Sequence, residues 1–390
     1  MKTAQFGDSF PPIMDGVCVT IMNYAKWLQE KYGDCTVVAP RVHGYVDQTP
    51  YKVCRFSSVD SFLRRPYRLG LPALDYRFRR ELRAVKCDLV HTHSPYIAGE
   101  QALKLARRLD VPLVASFHSK FRDDFLVALK SDALADMMVH MAVRLFEKAD
   151  AVWTVNRQSA NTLRDYGYHG NIEIFPNGCD TFTPGDTQAH LNSINTEYAL
   201  NPEEELFIFV GQQVWHKNIK LILDASAIFF QTHTGRLALI GEGADQVEIR
   251  KYAEECAPLR GRVIFTGKIL NREKLFSFYN RAWALIFPSL YDNAPLVVRE
   301  AASAGCPSVL ARGSHAAEDF VEDREVFLCG TTPESLARKM CDIVDNQTLY
   351  QTVKEGCVNI ATPWEQIVDR VAERYTELIE TRHIQRARAR

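Results

Sequence analysis

The 390-residue sequence contains no apolar run of the roughly 18 residues that a membrane-spanning helix needs. Its first residues, up to Pro11 and Pro12, carry no hydrophobic stretch of signal-peptide length either, so the expectation is a cytoplasmic protein. An excess of charge is missing too. The formal net charge is −1 and the isoelectric point is near 6.8, which gives no global attraction to nucleic acid. There are ten cysteines, but they are scattered singly with no CxxC pair. That spacing argues against a structural zinc site or a disulfide framework and for reduced, buried thiols. No short internal repeat occurs.

What is present is alternation. Short apolar runs at 35–40, 87–93, 111–118, 149–156 and 171–178 are separated by longer amphipathic stretches, and the pattern resumes at 205–212, 236–243, 262–268, 282–289 and 306–313. Runs of that length read as buried parallel strands, and the stretches between them as helices. The fold class is therefore α/β, with two Rossmann-like, doubly wound domains. A polar stretch rich in Pro, Gly and Asn places the linker near 177–186. The domains are expected at 1–180 and 181–363. The remainder, 364–390, is an amphipathic helix bearing Trp364, Ile367, Val368, Val371 and Tyr375 at helical spacing, then a basic tail read as frayed or disordered. Ligands of such sheets bind beyond the carboxyl ends of the strands, so the chemistry is sought there.

The segment 288–314 sets Asp292 and Glu300 around the start of a helix beginning at Pro295. Free N–H groups at that start favour a diphosphate, Glu300 can accept from both hydroxyls of a ribose, and a sugar can meet Asp292 with the backbone of Asn293, Ala294, Pro295 and Leu296. On spacing alone, Asp292 is equally a helix cap and Glu300 a solvated helix residue. Gly16, at the start of the first helix, would let backbone amides approach a phosphate, or is a plain loop glycine. Lys217, just before a helix, is a mobile cation for a leaving diphosphate or a solvated side chain. Gly241 and Gly243 form a glycine turn after a strand, a weak phosphate signal. Gly267 and Lys268 end another strand, where backbone groups can meet a base edge. His91 and His93 share one face of their strand, and the absence of a third ligand nearby favours acceptor contact or packing over a metal. His118 ends the next strand, with Lys120 two residues on, and can bond a sugar hydroxyl.

Taken in order, these features resemble glycosyltransferase family 4, the retaining nucleotide-sugar transferases of GT-B fold. The resemblance runs through Asp15-Gly16-Val17, VHTHSP at 90–95, Phe117-His118, Pro176-Asn177-Gly178, Gly211 with Lys217-Asn218, Gly241-Glu242-Gly243 and Phe265-Thr266-Gly267. It is most specific at Pro288-Ser289, where Asp292 and Glu300 follow at the family's carboxylate spacing ahead of Ala304-Gly305 and Pro307. The resemblance implies two domains facing across a cleft, with the last helix crossing back to brace the first. It implies Gly16 near the donor's distal phosphate, His118 near the transferred sugar, Lys217 on the diphosphate, Asp292 on sugar hydroxyls and Glu300 on the ribose. It further implies a nucleoside diphosphate sugar as donor, a UDP-sugar favoured, with no cofactor and no metal. The family usually has Arg at Gln212 and Glu at Asp292. Those departures keep a second reading open, a non-catalytic nucleotide-sugar binder or regulatory subunit.

For the acceptor, residues 64–83 interleave Arg64, Arg65, Arg68, Arg77, Arg79, Arg80 and Arg83 with Tyr67, Leu69, Leu71, Leu74, Tyr76, Phe78 and Leu82. The stretch reads either as peripheral contact with an anionic bilayer or as a solvated helix face with one core stripe. The first reading makes the acceptor a glycolipid or cell-envelope glycan.

Overall fold

The structure, a computed structural model, describes residues 1–61, 67–118, 120–181 and 187–389. The chain divides into two compact units, Met1–Asn177 with Trp364–Arg390, and Gly178–Pro363.

In the first unit the strands are β1 (Thr3–Phe6), β2 (Cys35–Pro40), β3 (Lys52–Phe56), β4 (Ser58–Asp60), β5 (Arg68–Gly70), β6 (Leu89–Thr92), β7 (Leu113–Phe117), β8 (Ala151–Thr154) and β9 (Glu173–Ile174). The helices are α1 (Gly16–Lys31), α2 (Tyr76–Ala84), α3 (Ile97–Leu109), α4 (Phe121–Leu129), α5 (Asp132–Phe146) and α6 (Arg157–Asp165). Seven parallel strands run in the order β3-β2-β1-β6-β7-β8-β9, and β4 and β5 make a separate antiparallel pair.

The second unit starts with α7 (Thr187–Glu197) and contains β10 (Leu206–Val210), α8 (Ile219–Phe229), β11 (Arg236–Ile240), α9 (Gln246–Glu255), β12 (Val263–Gly267), α10 (Arg272–Arg281) and β13 (Ala284–Phe287). It continues with α11 (Leu296–Ser303), β14 (Ser308–Ala311), β15 (Phe327–Cys329), α12 (Pro333–Asp345) and α13 (Gln347–Cys357), and α14 (Trp364–Ala389) returns to the first unit. Its six parallel strands run β12-β11-β10-β13-β14-β15. In each sheet the order reverses beside the first strand of the unit, between β1 and β6 and between β10 and β13. In doubly wound sheets, ligands bind beyond the carboxyl ends of the strands at such a reversal.

The central strands are buried from end to end, because helices cover both faces and no position needs to be polar. Three expectations are corrected. The strand sought at 171–178 shrinks to Glu173–Ile174, since Pro176 has no N–H to donate at this sheet edge. The edge strands β3 and β15 and the β4–β5 pair were not foreseen. The basic tail is helical to Ala389 rather than frayed: Arg382 pairs with Asp110 and Asp150, and Arg386 with Asp110 at 2.6 Å.

Ahead of that tail, α14 buries Trp364, Ile367, Val368, Val371 and Tyr375, the stripe its spacing foretold, and also Leu378. Each fully buried aliphatic side chain on it contributes about 1.5–3 kcal/mol. Lys31 at the end of α1 holds Asp369 at 2.5 Å and Glu365 at 3.1 Å, and Arg374 grips Glu173 with two bonds of 2.8 and 2.9 Å. All ten cysteines are free thiols, eight of them buried.

Candidate active site

The second unit supplies a charged cluster at the reversal between β10 and β13. After β10 the chain makes a short 3-10 turn, Trp215–Lys217, ended by Asn218 in the left-handed conformation at φ 60°. Asn tolerates that conformation, and the Asn218 amide donates to the carbonyl of Pro288 at 2.8 Å, tying the start of α8 to the end of β13. Lys217 Nζ thereby reaches Asp292, 2.8 Å from Oδ1 and 3.1 Å from Oδ2. The fully buried Ser289 donates to Asp292 Oδ2 at 2.6 Å. Side-chain exposures of 13% for Lys217 and 20% for Asp292 put the pair at the rim, where an incoming charged group can replace either partner.

Asp292 does not cap α11. The cap position belongs to Pro295, one residue before the helix rather than its first residue, and it makes no side-chain cap bond. Asn293, Ala294 and Pro295 form the turn into α11 and Leu296 begins it, with Asn293 Oδ1 3.0 Å from Nδ1 of His315. His315 was not anticipated. It follows Gly313 and Ser314 in the loop after β14, and the position at a strand's carboxyl end was the available signal.

Glu300 is not a solvated helix residue. It is buried, with Oε1 2.8 Å from Arg272 Nη2 and Oε2 3.3 Å from the Tyr279 hydroxyl. Arg272 also meets Asp180 at 3.0 Å. Burial raises the Tyr279 hydroxyl well above its ordinary pKa, and the Glu300 charge adds to the effect, so Tyr279 stays a donor. Neither Arg272 nor Tyr279 was foreseen. Each carboxylate oxygen holds one partner here, and a carboxylate oxygen accepts two, so capacity for ribose hydroxyls remains.

The glycine turn has a packing role. A Cβ on Gly241 would lie 2.0 Å from the Gly211 carbonyl, and one on Gly243 would lie 2.3 Å from the Gln213 carbonyl. These glycines let two loops pack on each other, which accounts for them without a phosphate. Buried Gln213, the neighbour of exposed Gln212, fastens that contact through Nε2 to the Gly241 carbonyl at 2.7 Å. Gly267, at φ 71°, accepts from the Gly241 N–H at 2.9 Å, and Lys268 beyond it is exposed.

In the first unit, Gly16 opens α1. A Cβ there would meet nothing within 4 Å, so packing does not require glycine. Its neighbour Asp15 caps the helix, accepting from the Cys18 N–H at 2.7 Å. Asp8, at the end of β1, does the same for α3, accepting from the Ala98 N–H at 2.9 Å and the Ser94 hydroxyl at 2.6 Å. Desolvation holds its carboxyl above the ordinary range despite those bonds.

The histidines form one assembly at the β1–β6 reversal. His118 Nε2 lies 3.0 Å from His93 Nδ1, the two rings stacked at 15°, and His93 Nε2 lies 3.0 Å from Gln5 Oε1. His91 reaches Tyr375 of α14 through Nδ1 at 2.5 Å and Ser116 through Nε2 at 2.8 Å. His91 is 0% exposed and His93 2% exposed, with both ring nitrogens of each engaged. Neither can touch an acceptor, which corrects that assignment. His118 is partly exposed, and Lys120 is the residue before α4. Among the described residues no cluster of three or more His, Cys, Asp or Glu could hold a metal.

Two doubly wound parallel sheets, each reversing its strand order beside its first strand, make the architecture of the GT-B fold. Two family models match the chain, Glycosyltransferase Family 4 over residues 14–182 and Glycosyl transferases group 1 over 192–356, and the chain belongs to glycosyltransferase family 4. It is similar to the alpha-monoglucosyldiacylglycerol synthases of Streptococcus pneumoniae, 24% identical over 83% of this chain and 74% of that one, and of Acholeplasma laidlawii, 20% identical over 94% of each. Among solved structures it shares its fold with Anabaena HepE in complex with UDP-glucose, at a TM-score of 0.77 and 17% identity, covering 97% of this chain and 100% of that one. The protein is a glycosyltransferase.

Proposed function

We propose that the protein transfers a hexosyl unit from a nucleoside diphosphate sugar, a UDP-sugar by preference, to a lipid or glycan hydroxyl with the anomeric configuration kept. The observation that carries this is the Lys217–Asp292 pair at the rim of the β10–β13 reversal. A diphosphate competes with Asp292 for the Lys217 ammonium, and as Lys217 turns to it, Asp292 is released to accept from sugar hydroxyls. Glu300, held by Arg272 and Tyr279, accepts from the ribose. His118 accepts from a hydroxyl of the transferred sugar, and Gly16 lets backbone amides near the distal phosphate. The bond from the anomeric carbon to the phosphate oxygen breaks while the bond to the acceptor oxygen forms on the same face. The acceptor proton passes to the departing phosphate oxygen. Lys217 and backbone N–H groups offset the leaving charge, so no metal is required. Undiminished turnover in EDTA is the expected outcome.

The names of the two relatives, both alpha-monoglucosyldiacylglycerol synthases, support a lipid acceptor, and the HepE complex supports UDP-glucose as the first donor to try. Peripheral attachment to the inner face of a membrane is proposed at α2. Phe78 and Leu82 face the core, while Arg77, Arg79, Arg80 and Arg83 are exposed beside Leu74 at 81% and Tyr76 at 70%. Arg64 and Arg65 lie outside the described residues, and Arg68 is paired with Asp60. No helix among the described residues is long and apolar enough to cross a membrane.

The test is incubation with UDP-glucose and vesicles containing diacylglycerol or its monoglucoside, with the product anomer read by NMR. A retained α-glucoside supports the proposal. An inverted anomer, or tight UDP-glucose binding with no turnover for any acceptor, overturns it, the second outcome favouring a non-catalytic binder.

A further inference from the structure

Across the start of α1 a cysteine stands between two methionines at a spacing of four, as Met14, Cys18 and Met22. Residues four apart on a helix lie one above the other, so the three sulfurs share one face. The Cys18 sulfur lies 3.7 Å from Met14 Sδ and 3.7 Å from Met22 Sδ. A thiol has a single, weakly donated proton, so hydrogen bonding alone does not account for two thioethers turned on it. Cys18 is fully buried and its own N–H is fixed by the Asp15 cap, whereas Met14 is 42% exposed and opens the group to solvent.

Sulfurs bonded to one ion at about 2.3 Å stand about 3.8–4.0 Å apart at tetrahedral to trigonal angles. Both separations from Cys18 are already close to that spacing. Methionine is unbranched and turns about three bonds, so Met14 and Met22 can close on an ion without moving the helix. Ligand type and charge then select the ion. Thiolate and thioether are soft donors and favour Cu(I). One thiolate cancels one positive charge, so a monovalent ion is neutral once bound, and burying it at the positive end of α1 costs little. A divalent ion would keep a net charge there, and Asp15 and Arg55, which both face the thiol, act on it in opposite senses.

We infer that Met14, Cys18 and Met22 form a binding site for a soft monovalent cation, with Cu(I) as its ligand. The ion displaces the thiol proton to solvent and bonds to the Cys18 thiolate, and the two thioethers each donate a lone pair to it. Nothing is oxidised or reduced. The site stands on its three sulfurs and does not rest on the proposed transfer reaction. Burial pushes the Cys18 thiol up to about 12, and the Asp15 charge adds to the effect, so at neutral pH the free protein holds the proton that the ion displaces. Besides Asp15 and Arg55, Tyr51 faces the thiol, and burial keeps its hydroxyl protonated.

The experiment is anaerobic titration of the full-length protein with Cu(I) buffered by bicinchoninate, in a Cys256→Ser, Cys341→Ser background that removes the two thiols that are not buried. One equivalent should bind, with sulfur neighbours alone at about 2.3 Å by X-ray absorption. Its affinity should fall about tenfold for each unit by which the pH is lowered between about 8 and 6, one proton being released per ion. Zn²⁺ at equal concentration should not displace it. Cys18→Ala should abolish binding. Met14→Leu combined with Met22→Leu keeps the side-chain volume and the thiol, and should weaken binding about a hundredfold or more, since even a partner behind a ligand is worth about 10–100-fold.

Cu(I) held as tightly by Cys18→Ala would put the ion elsewhere and overturn the inference. Equal affinity in the methionine double variant would overturn it as well, leaving Met14 and Met22 as packing. Displacement by Zn²⁺ would contradict the selection by softness and charge. If Cys18→Ala does not fold, the methionine variant decides, because leucine preserves the packing there.

Discussion

The two sheets share a strand order and differ in where they keep their polar groups. In the first unit Gln5, His91, Thr92, Ser116 and Thr154 lie inside the strands, all buried. In the second, the central strands β10 and β13 read LFIFV and ALIF, and the charged groups Lys217 and Asp292 stand beyond their ends. A polar group inside a sheet must find a partner in the fold, and an unpaired charge there is far costlier than a neutral donor. The first sheet accordingly holds neutral histidines that satisfy one another. Groups beyond the strand ends can be charged, and the second unit has Lys217 and Asp292 at a rim where partners can exchange, with Arg272 on α10 and the buried Glu300 on α11. One site is set by the fold and the other is offered to ligands.

The largest test is at the charged rim. Lys217→Ala removes the cation proposed to offset the leaving diphosphate, and kcat should fall by about 10²–10³, as when a single charge-stabilising donor is lost. Both members of the pair are partly exposed and Asp292 keeps Ser289, so Tm should stay close to wild type. A wild-type kcat would leave the rim pair as a structural contact only.

The complementary test falls on the neutral stack and reads stability. His91, His93 and His118 have folded-state pKa values below the ordinary 6.5, mainly through burial, whereas the unfolded chain binds protons near that value. Below it the unfolded state takes up more protons than the folded one. Stability is therefore fully present above pH 6.5 and is lost as pH falls toward 4, by about 1.4 kcal/mol per pH unit for each proton taken up. Chemical denaturation from pH 7.5 to 4.5 should show the decline, and His118→Asn should flatten it. A flat profile would contradict neutral burial.

Between these extremes stands Arg272, which joins Glu300 to Asp180. Arg272→Ala leaves the Glu300 carboxylate, 10% exposed, with Tyr279 alone. About 1–3 kcal/mol of stability should be lost, measured by urea denaturation, because a buried acceptor loses its charged donor. Glu300→Ala should instead raise KM for the donor. Equal effects of the two substitutions on KM would mean that Arg272 touches the donor itself.

These contrasts also bear on what could be read in the chain. Buried parallel strands are continuous apolar runs, so most were legible. The edge strand β3 was missed because Lys52 and Arg55 interrupt KVCRF. Lys217 and Asp292 were each legible as residues at strand ends, but their pairing spans 75 positions and only the fold brings it about. Arg272 and Tyr279 carried no local signal, since their role exists only against Glu300. The packing role of Gly241 and Gly243 was not legible, because close loop packing and phosphate binding ask the same thing of a backbone. For His91 and His93 the period of two gave the shared face, while nothing local could show that the face turns inward onto Tyr375.

The smallest effect sharpens the comparison most, because it separates packing from ligand at one atom. Gly16 is the first residue of α1, a Cβ there meets nothing within 4 Å, and its φ is not in the left-handed region. Gly16→Ala should therefore leave stability unchanged or raise it by about 0.4–1 kcal/mol, since alanine restricts the unfolded chain. If backbone amides at this turn approach a phosphate, the same methyl group occupies the approach, and Kd for UDP-glucose should rise by about tenfold. Calorimetry and thermal denaturation on one preparation read both quantities. Weaker binding with undiminished stability places the phosphate at α1. Unchanged binding would leave Asp15, whose carboxylate already satisfies the Cys18 N–H, as the anion this helix was built to hold.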